Sequence, residues 1–144
     1  GCKLIGLLAK WDQEVQERLV YAGGIDVLLA TFKDTNEEVR LHGVKALAPT
    51  CKSQRCKEKI LQKKGIPLIL KGALKDINNP SIAAYCCDAL LLLSEDTDVM
   101  VAIYNAGGTV VIKAIMKEHR FHEHIQEAGQ LILDDLVDLV QWSR

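Results

Sequence analysis

The densest group of side chains able to do chemistry is the segment HRFHEH, where His119, His122 and His124 stand among Glu118 and Glu123. Imidazoles and carboxylates in such proximity could bind zinc. The spacing is not that of a His-Glu-x-x-His site, because Gln126 occupies the place of the second histidine. His119, His122 and His124 are therefore a weak metal candidate, and an exposed polar connection between two helices is the plainer reading. A second group is the run CKSQRCKEKILQKK, which carries Lys52, Arg55, Lys57, Lys59, Lys63 and Lys64 against the single acid Glu58. A nucleic-acid surface would gather such charge on one face and add aromatics for stacking. This run has no aromatic, and its charges scatter around a helix, so a solvated face is expected. Glu95, Asp96 and Asp98 lack the glycine and terminal glutamate of a calcium loop. They read instead as capping and helix-start acids before Val99.

Five cysteines complete the inventory: Cys2, Cys51, Cys56, Cys86 and Cys87. The number is odd, two are adjacent, and adjacent cysteines are poorly placed to bond each other. Cys51, Cys86 and Cys87 fall at apolar positions of helical patterns, as buried reduced thiols of an intracellular, cytoplasmic or nuclear protein would. There is no phosphate loop, nucleophile elbow or kinase signature. No catalytic residue and no cofactor is expected. The 144 residues suffice for one domain, and 18 basic against 19 acidic residues give a net charge of −1. That balance supplies no general attraction to nucleic acid or an anionic membrane. No apolar run reaches the roughly 18 residues of a spanning helix. The chain opens at Gly1 inside an apolar pattern, as a piece of a longer protein would.

The elements that must position these residues announce themselves by recurrence. The phrase AGGIDVLL at 22–29 returns as KGIPLIL at 64–70 and as AGGTVVI at 106–112. Its glycines Gly24, Gly65 and Gly108 are 41 and 43 residues apart, and a near-constant period in this range marks a repeat architecture. Gly23-Gly24 and Gly107-Gly108 can take left-handed conformations that end one helix and open the next; Gly65 is expected to do so alone. Polar turns follow at 34–38 and 76–81, where Asn36 and Asn79 offer cap chemistry for a longer second helix. That helix carries Val39, Gly43, Val44, Leu47 and Cys51, then Ile82, Cys86, Cys87, Leu90 and Leu91, then Ile125, Gly129, Leu133 and Leu136. Gly43, Cys86 and Gly129 recur 43 residues apart, small enough to let two helices approach closely. A third, shorter helix carries Cys56, Ile60 and Leu61, then Val99, Ile103 and Tyr104. Val15, Leu19 and Val20 fit the same slots upstream.

Three helices per unit, opened by Ile66-Pro67-Leu68-Ile69-Leu70 or by Ala22-Gly23-Gly24-Ile25, with the long helix running from Glu38-Val39 through Ala46-Leu47, resemble the armadillo repeat. The resemblance implies an all-α, right-handed superhelical solenoid of about three and a half units. Residues 1–21 would end a preceding repeat; 22–63 and 64–105 would be full repeats, and 106–144 a final capping one with a lengthened last helix. It also implies a groove lined by the long helices. There, peptide-binding members of the family carry tryptophan and asparagine ladders. The tryptophan positions hold Lys45, Asp88 and Leu131 here, and the asparagine positions hold Pro49, Leu92 and Asp135. Candidate partner-binding residues are His42, Lys45, Tyr85, Asp88, Leu92, Glu127 and Leu131. The function implied is a non-catalytic protein-interaction scaffold with a protein or peptide partner. The alternatives are a regulatory segment of a multidomain kinase or ligase and, more weakly, nucleic-acid binding through residues 52–64.

Overall fold

The computed structural model of the protein describes residues 23–142, and of Trp142 the backbone alone. Among the described residues every regular element is an α-helix: α1 (Gly24–Thr31), α2 (Glu37–Thr50), α3 (Gln54–Gln62), α4 (Gly65–Lys75), α5 (Pro80–Leu93), α6 (Thr97–Asn105), α7 (Gly108–Glu118) and α8 (Glu123–Trp142). The all-α class expected from the sequence is thus observed. The expected preceding unit at 1–21 lies outside the described residues.

Each helix start has a local cause. Asn36 accepts from the Glu38 N–H at 2.9 Å to open α2, and Asn79 accepts from the Ser81 and Ile82 N–H groups at 3.0 and 3.1 Å to open α5. Pro80 begins α5, where its missing N–H costs no helical bond. Ser53 and Asp96 do the same work for the short helices α3 and α6, accepting from Cys56 N and Val99 N. The remaining starts, α1, α4 and α7, are entered through a left-handed residue: Gly23 (φ 77°), Lys64 (φ 55°) and Gly107 (φ 83°). The middle phrase therefore differs from the sequence expectation. Lys64, not Gly65, takes the left-handed turn. Gly65 serves for close approach instead, since a Cβ there would lie 2.8 Å from Ile60 Cγ2 and 3.0 Å from Leu29 Cδ2.

The long helices pack in succession, α2 on α5 and α5 on α8, while α1 packs on α4 and α4 on α7. The short helix α6 lies against α3 and α4. One core runs through all of them, with Ile25, Leu47, Ile69, Leu90, Ile112 and Ile132 buried. Gly43 is buried where a side chain would overlap Thr31 of α1, and a Cβ at Gly129 would lie 2.7 Å from Met116 of α7. The expected face of the long helices is therefore inward, though Val39, Leu91 and Leu133 are only half-buried. Among the described residues no single helix is long and apolar enough to cross a membrane.

Candidate functional site

The residues of interest stand on the long helices. Lys45, Asp88 and Leu131 occupy equivalent places on α2, α5 and α8, 43 residues apart. None of the three is buried: Lys45 is exposed, Asp88 half-buried and Leu131 54% exposed. His42 and Tyr85 are a second equivalent pair, both half-buried, and Tyr85 and Leu92 pack partly on the core. Period and helix order together thus carry apolar surface from Tyr85, Leu92 and Leu131 among charges of both signs. The His42 imidazole lies 3.7 Å from the Glu38 carboxylate one turn earlier. Glu127 and Leu131 border a shallow cleft with Met116, Gln126 and Gln130, so part of the α8 surface turns toward α7.

The three histidines do not converge. His122 Nδ1 accepts from the Ile125 N–H at 3.3 Å, capping α8. It stands 43 residues after Asn79, which stands 43 after Asn36, so it inherits a capping position. His119 Nε2 meets the Ile77 carbonyl across the gap to the α4–α5 turn. His124 Nε2 lies 2.5 Å from Asp88 Oδ1 and ties α8 to α5. Among the described residues no three His, Cys, Asp or Glu side chains are grouped to hold a metal ion. The same turn exposes Phe121 almost fully, with the Arg120 guanidinium 4.9 Å from its ring centre.

The basic run is also less uniform than a solvated face. Lys52, Arg55, Lys63 and Lys64 are exposed, but Lys57 is buried and its Nζ donates to Glu95 at 3.2 Å. Lys63 lies 3.6 Å from Asp26. Asp96 accepts from Gln54 at 2.6 Å, and that bond, helped by the Val99 and Asp98 backbone, holds its carboxyl below the usual carboxylate range. Cys51, Cys56, Cys86 and Cys87 are buried, and no disulfide joins them. Burial pushes the Cys51 and Cys86 thiols far up and Cys87 to about 12, so they stay uncharged and poorly nucleophilic near neutral pH.

Sequence reasoning missed a buried ion pair, Arg40 with Asp76. Arg40 on α2 donates through Nε and Nη2 to the two oxygens of Asp76 at 2.7 and 2.8 Å, and through Nη1 to the Asp34 carbonyl at 2.8 Å. The signal was present in the spacing. Arg40–Asp76, Lys57–Glu95, Gln54–Asp96, Glu37–Asn79 and Ser94–Asp135 are separated by 36, 38, 42, 42 and 41 residues. Each is close to one period, so opposite charges or complementary polar groups one period apart were candidates for contact.

No family model matches this chain, and no curated protein does. Its fold is shared with solved structures. A crystal structure of an engineered protein superposes with a TM-score of 0.83 over 94% of this chain, at 21% identity. A second engineered protein superposes with a TM-score of 0.82 over 92%, at 22% identity. This chain spans 54% of the length of the first and 32% of the second. At that identity the likeness carries the fold alone.

Proposed function

We propose that the chain is a non-catalytic interaction module, about three and a half armadillo-type repeats stacked as a right-handed solenoid, which holds a protein partner against its long helices. The observation that carries this reading is the succession α2, α5, α8. These helices present half-buried Tyr85 and Leu92 and exposed Leu131 beside Lys45, Asp88 and Glu127. Aromatic and aliphatic anchors ringed by charge are the composition of partner-binding surfaces. The proposed occupant is a protein segment laid across the long helices. It touches side chains rather than an asparagine ladder, because the ladder positions hold Pro49, Leu92 and Asp135.

The test is affinity capture from extract by the wild-type chain, Tyr85→Ala and Leu131→Asp. Truncating a surface anchor costs more than about 1 kcal/mol of binding. Leu131→Asp places its charge in water, so its melting temperature is expected to stay near wild type while capture falls. Capture unchanged in both variants would remove the long-helix face as the binding surface.

A further inference from the structure

Among the helices entered through a left-handed residue, α4 has a packed neighbour on either side, α1 and α7. The surface it leaves exposed therefore does not arise from an end of the stack. Its sequence GIPLILKGALK has no acid. Pro67, Lys71, Leu74 and Lys75 are exposed on it, and Lys64 is exposed at its start. Lys64, Lys71 and Lys75 are spaced 7 and 4 residues apart, which sets them along one face of the helix. Among the described residues none of these three takes part in an ion pair. At the start of this lysine stripe a cleft of about 340 Å³ opens between α3, α4 and the end of α6. It is walled by Leu61, Ile66, Pro67, Ala102 and Ala106 and bordered by Lys64.

Lys64 stands at that border against its own preferences. Among the described residues it is the one residue other than glycine with positive φ, and the matching turns before α1 and α7 use Gly23 and Gly107. Its charge also sits at the N-terminal end of α4, where the helix dipole disfavours a cation. Strain of this kind is kept at ligand-binding sites, and an anion is the ligand that offsets the misplaced charge. We infer that the cleft and the stripe together receive an acidic peptide segment of a partner protein. One apolar side chain of the segment enters the cleft, and its carboxylates meet Lys64, Lys71 and Lys75. This surface is separate from the long-helix face, and neither reading needs the other.

The lining decides between anionic partners. It offers aliphatic carbon and no aromatic ring for a base to stack on. The charged residues of α5 and α8 include acids but no lysine or arginine. The basic surface is therefore local. It suits a short acidic segment better than a nucleic-acid duplex or a bilayer, either of which extends past the stripe. Along the helix axis Lys64 and Lys71 lie about 10 Å apart, and Lys71 and Lys75 about 6 Å. These are spans of about three and about two residues of extended chain. The segment therefore carries acids at such intervals, with its apolar residue beside the acid that meets Lys64.

Fluorescence polarisation on the whole chain tests this, with a labelled peptide of glutamate and aspartate around a single leucine. The wild type is expected to bind it, and to bind a control with serine in place of the leucine about tenfold more weakly. Lys64→Gly relieves the left-handed strain, so it should raise the denaturation midpoint while weakening the peptide about tenfold. Lys64→Arg retains binding. Lys71→Glu and Ala106→Glu, both at exposed positions, weaken it about tenfold or more with melting near wild type. They serve if Lys64→Gly disturbs the turn. Tyr85→Ala leaves the peptide affinity unchanged, so failure of this inference and failure of the long-helix reading are told apart. A wild type that does not bind the peptide overturns the inference. So do Lys64→Gly and Lys71→Glu chains that bind at full strength, or a serine control that binds as well as the leucine peptide. A DNA duplex or a phosphatidylserine vesicle that binds as tightly as the peptide overturns it too.

Discussion

The junction between the first helix triplet and the second holds Arg40 and Asp76 in a buried, two-point ion pair, whereas the next junction holds Ala83 and His119 at the same places. Asp76 caps the end of α4 and His119 caps the end of α7. The second junction is instead closed without a buried ion pair: His119 meets the Ile77 carbonyl, His124 meets Asp88, and Ser94 donates to Asp135 at 3.1 Å. The same stacking of helices is thus achieved with and without a buried charge. The hydrogen bonds that Arg40 donates to Asp76 outweigh the desolvation of the guanidinium and hold its pKa above the ordinary value. A buried pair offsets its own desolvation and little more, while one member left alone is costly. The two junctions should therefore respond very differently to loss of a single side chain.

Removing one partner makes the largest difference. Asp76→Ala leaves Arg40 charged among buried neighbours and is expected to cost about 3–5 kcal/mol in chemical denaturation. His119→Ala, at the equivalent place, removes one half-buried hydrogen bond and costs about 1 kcal/mol. Replacing both Arg40 and Asp76 by apolar residues recovers most of the Asp76→Ala loss. If Asp76→Ala and His119→Ala cost the same, the ion pair is not what distinguishes the junctions.

Glycine packing sharpens the contrast at the next level. Gly43 faces Thr31, whose β-branched side chain is held by a 2.6 Å bond to the Leu28 carbonyl. Gly129 faces the flexible end of Met116. Gly43→Ala is expected to cost about 1–3 kcal/mol through overpacking. Gly129→Ala is expected to cost less than half of that, because the methionine can turn aside. Thr31→Ala in the Gly43→Ala background should restore much of the loss if the overlap is the cause.

How much of this was legible in the sequence follows from where each signal lives. The helices were legible because caps and left-handed glycines recur with the apolar pattern, and both are local. The long-helix core followed from the same period. The division of labour in the glycine phrase was not legible at 64–65, because a lysine rarely accepts φ > 0 and the close packing of Gly65 on Ile60 and Leu29 shows only in the fold. The histidines read in sequence as a weak ligand set off the required spacing, and their actual contacts were not legible. Their roles depend instead on residues one period away or on a capping position filled by asparagine elsewhere. Arg40–Asp76 was missed for the same reason: each residue alone is an ordinary surface charge, and only the stacked helices bring them together.

The left-handed positions give a smaller pair of opposite effects. Lys64 adopts a conformation that Gly23 and Gly107 adopt without a Cβ. An L-residue there carries roughly 1–2 kcal/mol of strain. Lys64→Gly should stabilise the chain by about 0.5–1 kcal/mol, less than the full strain because glycine is freer when unfolded. Gly107→Ala should destabilise it by a similar amount. Both are read from the denaturation midpoint at constant slope. Lys64→Gly leaving the midpoint unchanged would mean that the lysine side chain repays its strain locally.

The smallest effect separates the two short helices by pH. Ser53 and Asp96 cap α3 and α6 from equivalent positions, but only Asp96 titrates. Its carboxyl sits below the ordinary value of 3.8, chiefly because Gln54 donates to it, with the Val99 and Asp98 N–H groups adding to the effect. A carboxylate whose pKa is lower in the folded chain binds protons more readily when unfolded. Its stabilisation is therefore fully present above the unfolded value and is lost as pH falls through the folded one. From neutral pH down to about pH 5 the Asp96 contribution is constant, because the carboxyl is ionised in both states. Below that the wild type loses it, while Asp96→Asn keeps a neutral cap that accepts from Val99 at every pH. The variant should be slightly less stable near neutrality, and its denaturation midpoint should fall less steeply as the pH drops toward 3. Ser53→Asn, at the matching cap, should shift the midpoint by the same amount at all pH values. Parallel curves for wild type and Asp96→Asn would show that the carboxylate at this cap contributes no more than a neutral acceptor.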